Sequence, residues 1–196
     1  VTAAALKLVP AVGSRTVAWI GLSSPEKALA LLRTVEAAMG DAIESFELVP
    51  ARALDLVLHH VPGTRAPLDG RHAWNVLIEA VSPVVAPSPE EELFHALNAA
   101  MEAGLVEDAT IAANEAQAEA LWHLRDSISE AEQKDGPAVK HDPSVEVAAM
   151  PGFMVAAAEA VEGRFPGSRV IAFGHLGDGN IHFNVGAPEG ADKDWL

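Results

Sequence analysis

Apolar and polar residues follow two different periods along the chain, and the periods separate predicted strands from predicted helices. Short apolar runs or two-residue alternation predict strands, whereas longer segments with apolar residues three and four positions apart predict helices. The predicted strands, including one extended segment, cover residues 15–21, 43–49, 72–82, 105–113, 138–147, 168–173 and 181–185. The predicted helices cover residues 25–39, 51–60, 90–103, 114–134 and 150–165.

The order of these elements predicts the fold class. The first half reads β-α-β-(α)-β-α-β, which is the split β-α-β arrangement of ferredoxin-like folds. The second half reads β-α-β-β and lacks its last elements. We therefore predict an α+β fold, with a ferredoxin-like antiparallel sheet, helices on one face, and a second, incomplete ferredoxin-like half. No repeat or long linker divides the chain, so residues 1–196 are predicted to form a single domain.

Charge and cysteine content exclude several classes of function. The chain has 196 residues, with 13 Lys and Arg against 28 Asp and Glu, and a formal net charge of −15. Because nucleic-acid binding relies on cations that neutralise phosphates, this balance argues against a polyanionic partner. The absence of cysteine excludes disulfides, thiolate nucleophiles and cysteine-ligated metal clusters. No apolar run reaches the roughly 18 residues that a membrane span needs, so none is predicted.

The segment GHLGDGNIHFNV, residues 174–185, carries the clearest chemical signal in the sequence. The dipeptide Asp178-Gly179 predicts a two-residue type I′ turn. In the resulting register His175 lies opposite His182, with the two β-carbons about 5 Å apart. The sequence therefore predicts that the two imidazoles share one face of a hairpin.

Two imidazoles on one face are suited to binding zinc, manganese or iron, and a third ligand would leave one coordination position open for substrate. Alternation adds Asn184 to the same face, beside His182. Two alternatives remain. One histidine could belong to the core and the other to the surface, or the glycines could form a phosphate-binding loop. The loop is the weaker alternative, because neither a helix N-terminus nor a lysine follows the glycines.

The same segments resemble a known family. Residues 174–184 are similar to the hairpin in the C-terminal, substrate-binding domain of flavin-linked D-2-hydroxy-acid dehydrogenases, which include D-lactate, glycolate and D-2-hydroxyglutarate dehydrogenases. Residues 121–147, LWHLRDSISEAEQKDGPAVKHDPSVEV, resemble the D-2-hydroxyglutarate dehydrogenase branch. The opening LKLVP, residues 6–10, resembles the passage out of the family's flavin domain. The resemblance spans most of the chain.

The resemblance implies roles for six residues. It assigns the metal, zinc or manganese, to His175 and His182, and the substrate to Arg125, Ser129, Lys140 and Asn184. The cations suit an anionic hydroxy acid, because arginine binds a carboxylate through two hydrogen bonds and lysine acts as a point charge. Arg125 and Ser129 are four residues apart, with Trp122 three residues before Arg125, so one continuous helix would place all three on one face. The alternative is that Arg125 and Lys140 are solvated surface charges.

Several features of the family are missing from the sequence. No glycine-rich dinucleotide fingerprint occurs, so we expect FAD to be bound mainly by a flavin domain outside this chain. The family's Glu-His-Gly segment, whose glutamate completes the metal site and whose histidine accepts a proton, has no counterpart after the hairpin. Glu189 does not replace it, and Glu146 stands where the family usually has proline. We therefore expect a fragment that is inactive by itself.

From these residues we predict the substrate-binding domain of an FAD-dependent dehydrogenase that oxidises a D-2-hydroxy acid, of the D-2-hydroxyglutarate or D-lactate type, to the 2-keto acid. The alternative is a non-catalytic ferredoxin-like module that binds a metal or a small acid. The predicted partners are a small anionic 2-hydroxy acid and an N-terminal flavin domain, with the electron acceptor and a homodimer left open. The predicted location is cytoplasmic, with peripheral attachment to the inner membrane left open.

Overall fold

Strands and helices alternate through most of the computed structural model, which describes residues 2–5, 11–85, 88–188 and 190–191. The strands are β1 (Ser14–Leu22), β2 (Ile43–Pro50), β3 (Trp74–Ser82), β4 (Asp108–Ile111), β5 (Ala138–His141), β6 (Arg169–His175) and β7 (Asn180–Gly186). The helices are α1 (Pro25–Met39), α2 (Ala51–His60), α3 (Glu90–Glu102), α4 (Glu115–Asp126), α5 (Ile128–Asp135) and α6 (Met150–Arg164). The LKLVP segment lies outside the described residues.

The seven strands form one antiparallel sheet in the order β4-β1-β3-β2-β6-β7-β5. The first four strands have the order of a ferredoxin-like unit, and β6-β7-β5 form the second, incomplete unit. The two units join through a short contact between β2 and β6, which pairs Glu47 with His175 and Leu48 with Gly174. The predicted α+β class and antiparallel sheet are confirmed. We call this β2–β6 contact the seam.

Helices cover both faces of the sheet, which corrects the expectation that they lie on one face. Helices α1, α3 and α6 pack on one face, where Ile20 and Ile78 are buried. Helices α2, α4 and α5 pack on the other, where Trp19 and Phe173 are buried. The reason lies in β1, whose residues are buried continuously from Thr16 to Leu22, because a strand covered on both faces needs apolar side chains on both.

The helix boundaries follow local hydrogen-bonding residues. Ser24 accepts a hydrogen bond from the backbone N–H of Lys27 and precedes a proline in the first turn of α1, a favoured N-cap arrangement. Asn114 Oδ1 likewise accepts from the N–H of Gln117, at 3.0 Å, and begins α4. The predicted single helix over residues 114–134 is wrong, however, because α4 ends at Asp126 and α5 begins at Ile128.

Candidate functional site

The seam brings together three charged or polar side chains that are distant in the sequence. Glu47 lies in the middle of β2 with only 4% of its side chain exposed, and it pairs across the seam with His175. Arg125 approaches from the last turn of α4, where the helix dipole favours a cation. We call Glu47, Arg125 and His175 the inner group of the site.

Glu47 contacts both other members of the inner group. Its Oε1 lies 2.6 Å from Nδ1 of His175. Its Oε2 accepts a hydrogen bond from Nε of Arg125 at 2.9 Å. Nη2 of Arg125 also lies 2.9 Å from that oxygen, but without the alignment of a hydrogen bond. The guanidinium carbon is 5.4 Å from the ring centroid of Phe173, so a cation–π contact also orients it.

Helix α4 is held against the sheet by a second set of contacts, which supports the position of Arg125. Trp122 Nε1 donates to Oε2 of Glu79 on β3 at 2.6 Å. Arg15 on β1 donates to the same carboxylate and forms ion pairs with Glu115 and Glu119, in the first two turns of α4. The helix therefore cannot rotate about its axis without breaking contacts to β1 and β3.

The hairpin between β6 and β7 has a different register from the predicted one. Gly179 has a φ of 77°, whereas Asp178 has no positive φ, so the turn is not type I′. Asp178 Oδ1 instead accepts from the N–H of Asn180 at 2.9 Å, and the turn spans four residues. His175 therefore pairs with Asn180, and His182 pairs with Phe173.

His175 and His182 share one face of the hairpin in the observed register, as predicted. The register differs from the predicted one by two residues along the strand, and a shift of two leaves every side chain on its original face. The His175 and His182 rings are diagonal neighbours whose centroids lie 5.5 Å apart. The two imidazoles lie on the face that carries Arg125, since Phe173 contacts both His182 and Arg125.

A second, more exposed set of residues continues from the inner group. His182 places its Nδ1 at 2.7 Å from Oδ1 of Asp142, and 69% of the Asp142 side chain is exposed. Lys140 is exposed on β5 and pairs with Asn184 on β7. Among the ion pairs between described residues, none involves Lys140. We call Lys140, Asp142 and His182 the outer group.

Asn184 is buried and hydrogen-bonded, rather than open to solvent. Its Nδ2 donates to Oε2 of Glu132 on α5 at 2.8 Å, and only 4% of Asn184 and 5% of Glu132 are exposed. Burial raises the pKa of Glu132 above its ordinary value, while the hydrogen bond from Asn184 and the charge of Lys140 oppose that rise. The amide oxygen of Asn184 remains available as an acceptor.

Arg125 and Ser129 lie on different helices, α4 and α5. The backbone of Ser127, with φ −78° and ψ −4°, ends α4 and starts α5, so the spacing of four residues no longer describes one continuous helix. Ser127 is buried and its Oγ lies 3.3 Å from Nδ1 of His123, whereas Ser129 is exposed. The structure therefore places five of the six predicted residues on one face of the sheet, and the roles of all six stay predictions.

Three carboxylates in this region were missed by sequence reasoning. Glu47 interrupts the apolar run FELV in a strand that is buried at residues 46–49, and a charged residue in such a run could have signalled a paired group. Asp142 directly follows Lys140 and His141, but nothing in the spacing indicates its contact with His182. The sequence predicted that Glu132 is helical but not that it is buried, because its burial depends on where α5 packs.

The two histidines fit a metal through one nitrogen each. An ionised carboxylate can only accept a hydrogen bond, so in a neutral imidazole Nδ1 would carry the proton and Nε2 would present its lone pair. Carboxylates behind metal-binding histidines set this orientation in many sites. Within the described part of the chain, however, no group of three His, Cys, Asp or Glu side chains is placed to hold a metal ion. The described residues thus place two imidazoles on one face of the sheet, without a third candidate ligand beside them.

Comparison with known proteins identifies the class to which this fold and site belong. Residues 13–195 match the family described as FAD linked oxidases, C-terminal domain. The chain therefore belongs to the family of C-terminal domains of FAD-linked oxidases. The predicted resemblance is confirmed by this match.

Within that class, the similar curated proteins are D-2-hydroxyglutarate dehydrogenases. The mitochondrial enzyme of Arabidopsis thaliana is 32% identical over 194 residues, covering 98% of this chain and 34% of its own length. The enzyme of Xanthomonas citri pv. viticola is 37% identical over 151 residues, covering 77% of this chain and 31% of its own length. The chain thus spans about a third of the length of these relatives.

Solved structures of low sequence identity share the fold. An alkyldihydroxyacetonephosphate synthase superposes with a TM-score of 0.54 and 8% identity, covering 94% of this chain and 38% of that one. A 4-ethylphenol oxidase from Gulosibacter chungangensis superposes with a TM-score of 0.54 and 12% identity, covering 92% of this chain and 40% of that one. These identities support the fold only. Of the helices in the described residues, none combines the length and apolar character needed to cross a membrane.

Proposed function

We propose that this chain is the substrate-binding domain of an FAD-dependent dehydrogenase that oxidises a D-2-hydroxy acid to the 2-keto acid. The observation that carries the proposal is the arrangement of Arg125, His175, His182, Asn184 and Lys140 on one face of the sheet. Two cations, an amide and two imidazoles on one surface suit a small molecule with a carboxylate and a neighbouring hydroxyl. The alternative of a non-catalytic module is not favoured, because the family match covers nearly the whole chain.

The residues of this chain would bind and orient the substrate. Arg125 directs Nε and Nη2 towards Glu47, and its Nη1 lies 4.0 Å from Oδ1 of the exposed Asp126. We propose that this Nη1 edge meets the substrate carboxylate. Lys140, exposed and on the same face, would add a second positive charge. A substrate with two carboxylates could engage both cations, which favours a D-2-hydroxyglutarate-type substrate over a D-lactate type.

The two imidazoles would lie at the hydroxyl end of the substrate. FAD, when bound, accepts the two electrons and the α-hydrogen that leave the substrate carbon, and a zinc or manganese ion, when bound, lowers the pKa of the hydroxyl. Nε2 of His175 and of His182 would hold the metal. We propose that a flavin domain outside this chain binds most of the FAD, and that further metal ligands come from outside the described residues.

The net charge of −15 limits how the anion can be attracted. Long-range repulsion is screened beyond a Debye length of roughly 8 to 10 Å, so the cations must act locally. Arg125 is already paired with Glu47, which leaves Lys140 as the cation of the site that has no ion-pair partner among the described residues. The cytoplasmic location stays a prediction. No electron acceptor or homodimer is assigned.

Anion binding can be tested by thermal stabilisation of the purified chain. We expect D-2-hydroxyglutarate to raise the melting temperature more than D-lactate, since two carboxylates can engage two cations. Arg125→Ala should abolish most of this shift, because it removes the proposed carboxylate contact. Arg33→Ala is the matched control, since Arg33 is exposed on α1 and pairs only with the neighbouring Glu36. An equal shift in the Arg125 variant and the parent would rule out the role of Arg125.

Metal binding can be tested by titrating zinc or manganese into the chain. We expect His175→Ala and His182→Ala to weaken uptake, because each removes one of two ligands. His95→Ala is the control, since 70% of the His95 side chain is exposed on α3. The metal assignment fails if the parent and all three variants take up metal equally.

A further inference from the structure

Glu47 connects the proposed anion-binding cation to the proposed metal ligand through a single buried carboxylate. We propose that Glu47 is a positioning residue that, together with Arg125, fixes which nitrogen of His175 carries the proton. The consequence for metal binding rests on the proposed function, whereas the proton position does not.

The two oxygens of Glu47 have different partners. Oε1 lies 2.6 Å from Nδ1 of His175, and Oε2 lies 2.9 Å from both Nε and Nη2 of Arg125. Because 4% of the Glu47 side chain is exposed, water has little access to replace either contact. The ionised carboxylate offers only acceptors, so His175 must present Nδ1–H to it and leave Nε2 with its lone pair.

The backbone fixes this contact as firmly as the side chains do. Glu47 and His175 are paired residues of adjacent strands, and the N–H of Leu176 donates to the carbonyl oxygen of Phe46 at 3.0 Å. On the other side of β6, Gly174 permits the close approach of β7, since a β-carbon there would overlap the carbonyl oxygen of Asn180. The distance between the carboxylate and the imidazole is therefore set by the sheet.

Arg125 determines how an amide would orient in place of the carboxylate. A guanidinium has five N–H donors and no acceptor, so Glu47→Gln must turn its amide oxygen towards Arg125. The NH₂ group of the same amide then faces Nδ1 of His175 and donates to it. Nδ1 becomes an acceptor, the proton moves to Nε2, and Nε2 loses the lone pair that a metal needs.

His182 offers a matched comparison within the same site. Its partner Asp142 also contacts Nδ1, at 2.7 Å, but 69% of the Asp142 side chain is exposed. No ion pair between the described residues joins Asp142 to an arginine or lysine. An asparagine at this position can therefore turn its oxygen towards His182, and Nδ1 keeps its proton. Replacing the carboxylate by its amide should therefore move the ring proton of His175 from Nδ1 to Nε2 and leave the ring proton of His182 on Nδ1.

The primary experiment is a two-bond ¹H–¹⁵N correlation of the histidine rings in the metal-free chain, at a pH of about 8 where histidine is mostly neutral. We expect Nδ1–H for His175 in the parent, Nε2–H in Glu47→Gln, and unchanged Nδ1–H for His182 in Asp142→Asn. The proposal is overturned if His175 keeps Nδ1–H in Glu47→Gln, or if the parent already has Nε2–H.

A double variant tests whether Arg125 transmits the effect. In Glu47→Gln with Arg125→Met, no guanidinium holds the amide oxygen, so the amide can turn and accept from His175. We expect Nδ1–H of His175 to return. A merely structural role for Glu47 would not be rescued by removing its neighbour, so persistence of Nε2–H in the double variant would count against the proposal.

Zinc titration then connects the proton position to binding. We expect Glu47→Gln to weaken zinc affinity by about 10- to 100-fold, as the loss of a residue behind a metal ligand commonly does, with a smaller loss in Asp142→Asn. Equal zinc affinity in the parent and Glu47→Gln would overturn the inference for a chain that binds zinc. If the parent takes up no zinc, the proposed function loses its metal, and the ring correlation alone decides the proposal about Glu47.

Discussion

The inner and outer groups of the site contain similar side chains in different surroundings. Each has a carboxylate behind a histidine and a cation nearby, but Glu47 is 4% exposed and Asp142 is 69% exposed. The inner group is held by the seam, by Phe173 and by α4. The outer group lies at the edge of the sheet, with Lys140 and Asp142 in and directly after β5 and His182 on β7. Burial therefore separates a preorganised half, in which geometry is set before ligand binding, from a half that can adapt.

The largest expected effect comes from removing the inner carboxylate. Glu47→Ala should lower the free energy of unfolding by about 3 kcal/mol, the lower end for a broken buried pair, because 14% of Arg125 stays exposed. Asp142→Ala should cost less than about 1 kcal/mol, as exposed pairs do. Urea unfolding followed by tryptophan fluorescence measures both. Similar losses of unfolding free energy in the two variants would contradict the conclusion that the inner group is more rigidly held than the outer group.

A smaller effect is expected from the glycines that border the two groups. Gly174 lies in the seam with a φ of 155°, and a β-carbon there would overlap the carbonyl oxygen of Asn180. Gly174→Ala should therefore cost about 2 to 3 kcal/mol. Gly177, in the turn, has open space around a β-carbon, so Gly177→Ala should change stability by less than about 0.5 kcal/mol. Comparison of their unfolding midpoints tests whether the chain tolerates less change at Gly174, where β6 lies against β7, than in the turn.

The smallest effect is expected from titration of Glu132. Its pKa is raised in the folded chain by burial, so the folded state holds the proton more tightly than the unfolded state. Stability should then fall as pH rises from the ordinary carboxyl pKa through the raised pKa of Glu132. Glu132→Gln keeps an acceptor for Asn184 and cannot ionise, so its stability relative to the parent should increase over that pH range.

The control for that pH dependence is the exposed neighbour Glu130. A hydrogen bond from Lys134 lowers the pKa of Glu130, so its stabilising contribution is present above the ordinary carboxyl pKa and lost as pH falls through the lowered one. Glu130→Gln should therefore be less stable than the parent at neutral pH and equal to it in acid. A pH profile for Glu132→Gln of the same sign would contradict the assignment of burial as the cause.

Local residue patterns predicted most of the elements. The helix beginning with Ser24-Pro25 and the helix over residues 51–60 were placed as the structure has them, because caps and apolar spacing act over one or two turns. The break at Ser127 could not be read, since nothing in HLRDSISEAE stops a helix. It arises where α4 packs on the sheet and α5 on α2.

The sequence predicted the two histidines of the candidate site but not the carboxylates that contact them. The face shared by His175 and His182 followed from strand alternation, which survives a register shift of two residues. The partners of these histidines did not follow, because Glu47 lies 128 residues before His175 and Asp142 lies 40 residues before His182. The spacing of residues predicts which side chains are neighbours along one helix or hairpin, but it does not predict which distant strands pair.

The amino-acid sequence by itself determined the α+β class, the family resemblance and the set of polar side chains on one hairpin face, since these depend on local periodicity and on motif residues. Only the tertiary structure decided that helices cover both faces of the sheet, that Arg125 and Ser129 belong to separate helices, and that a buried Glu47 joins Arg125 to His175. The physical reason is that burial and pairing of a charge depend on which distant segments share its surroundings, and these are fixed when the two halves of the sheet join at the seam.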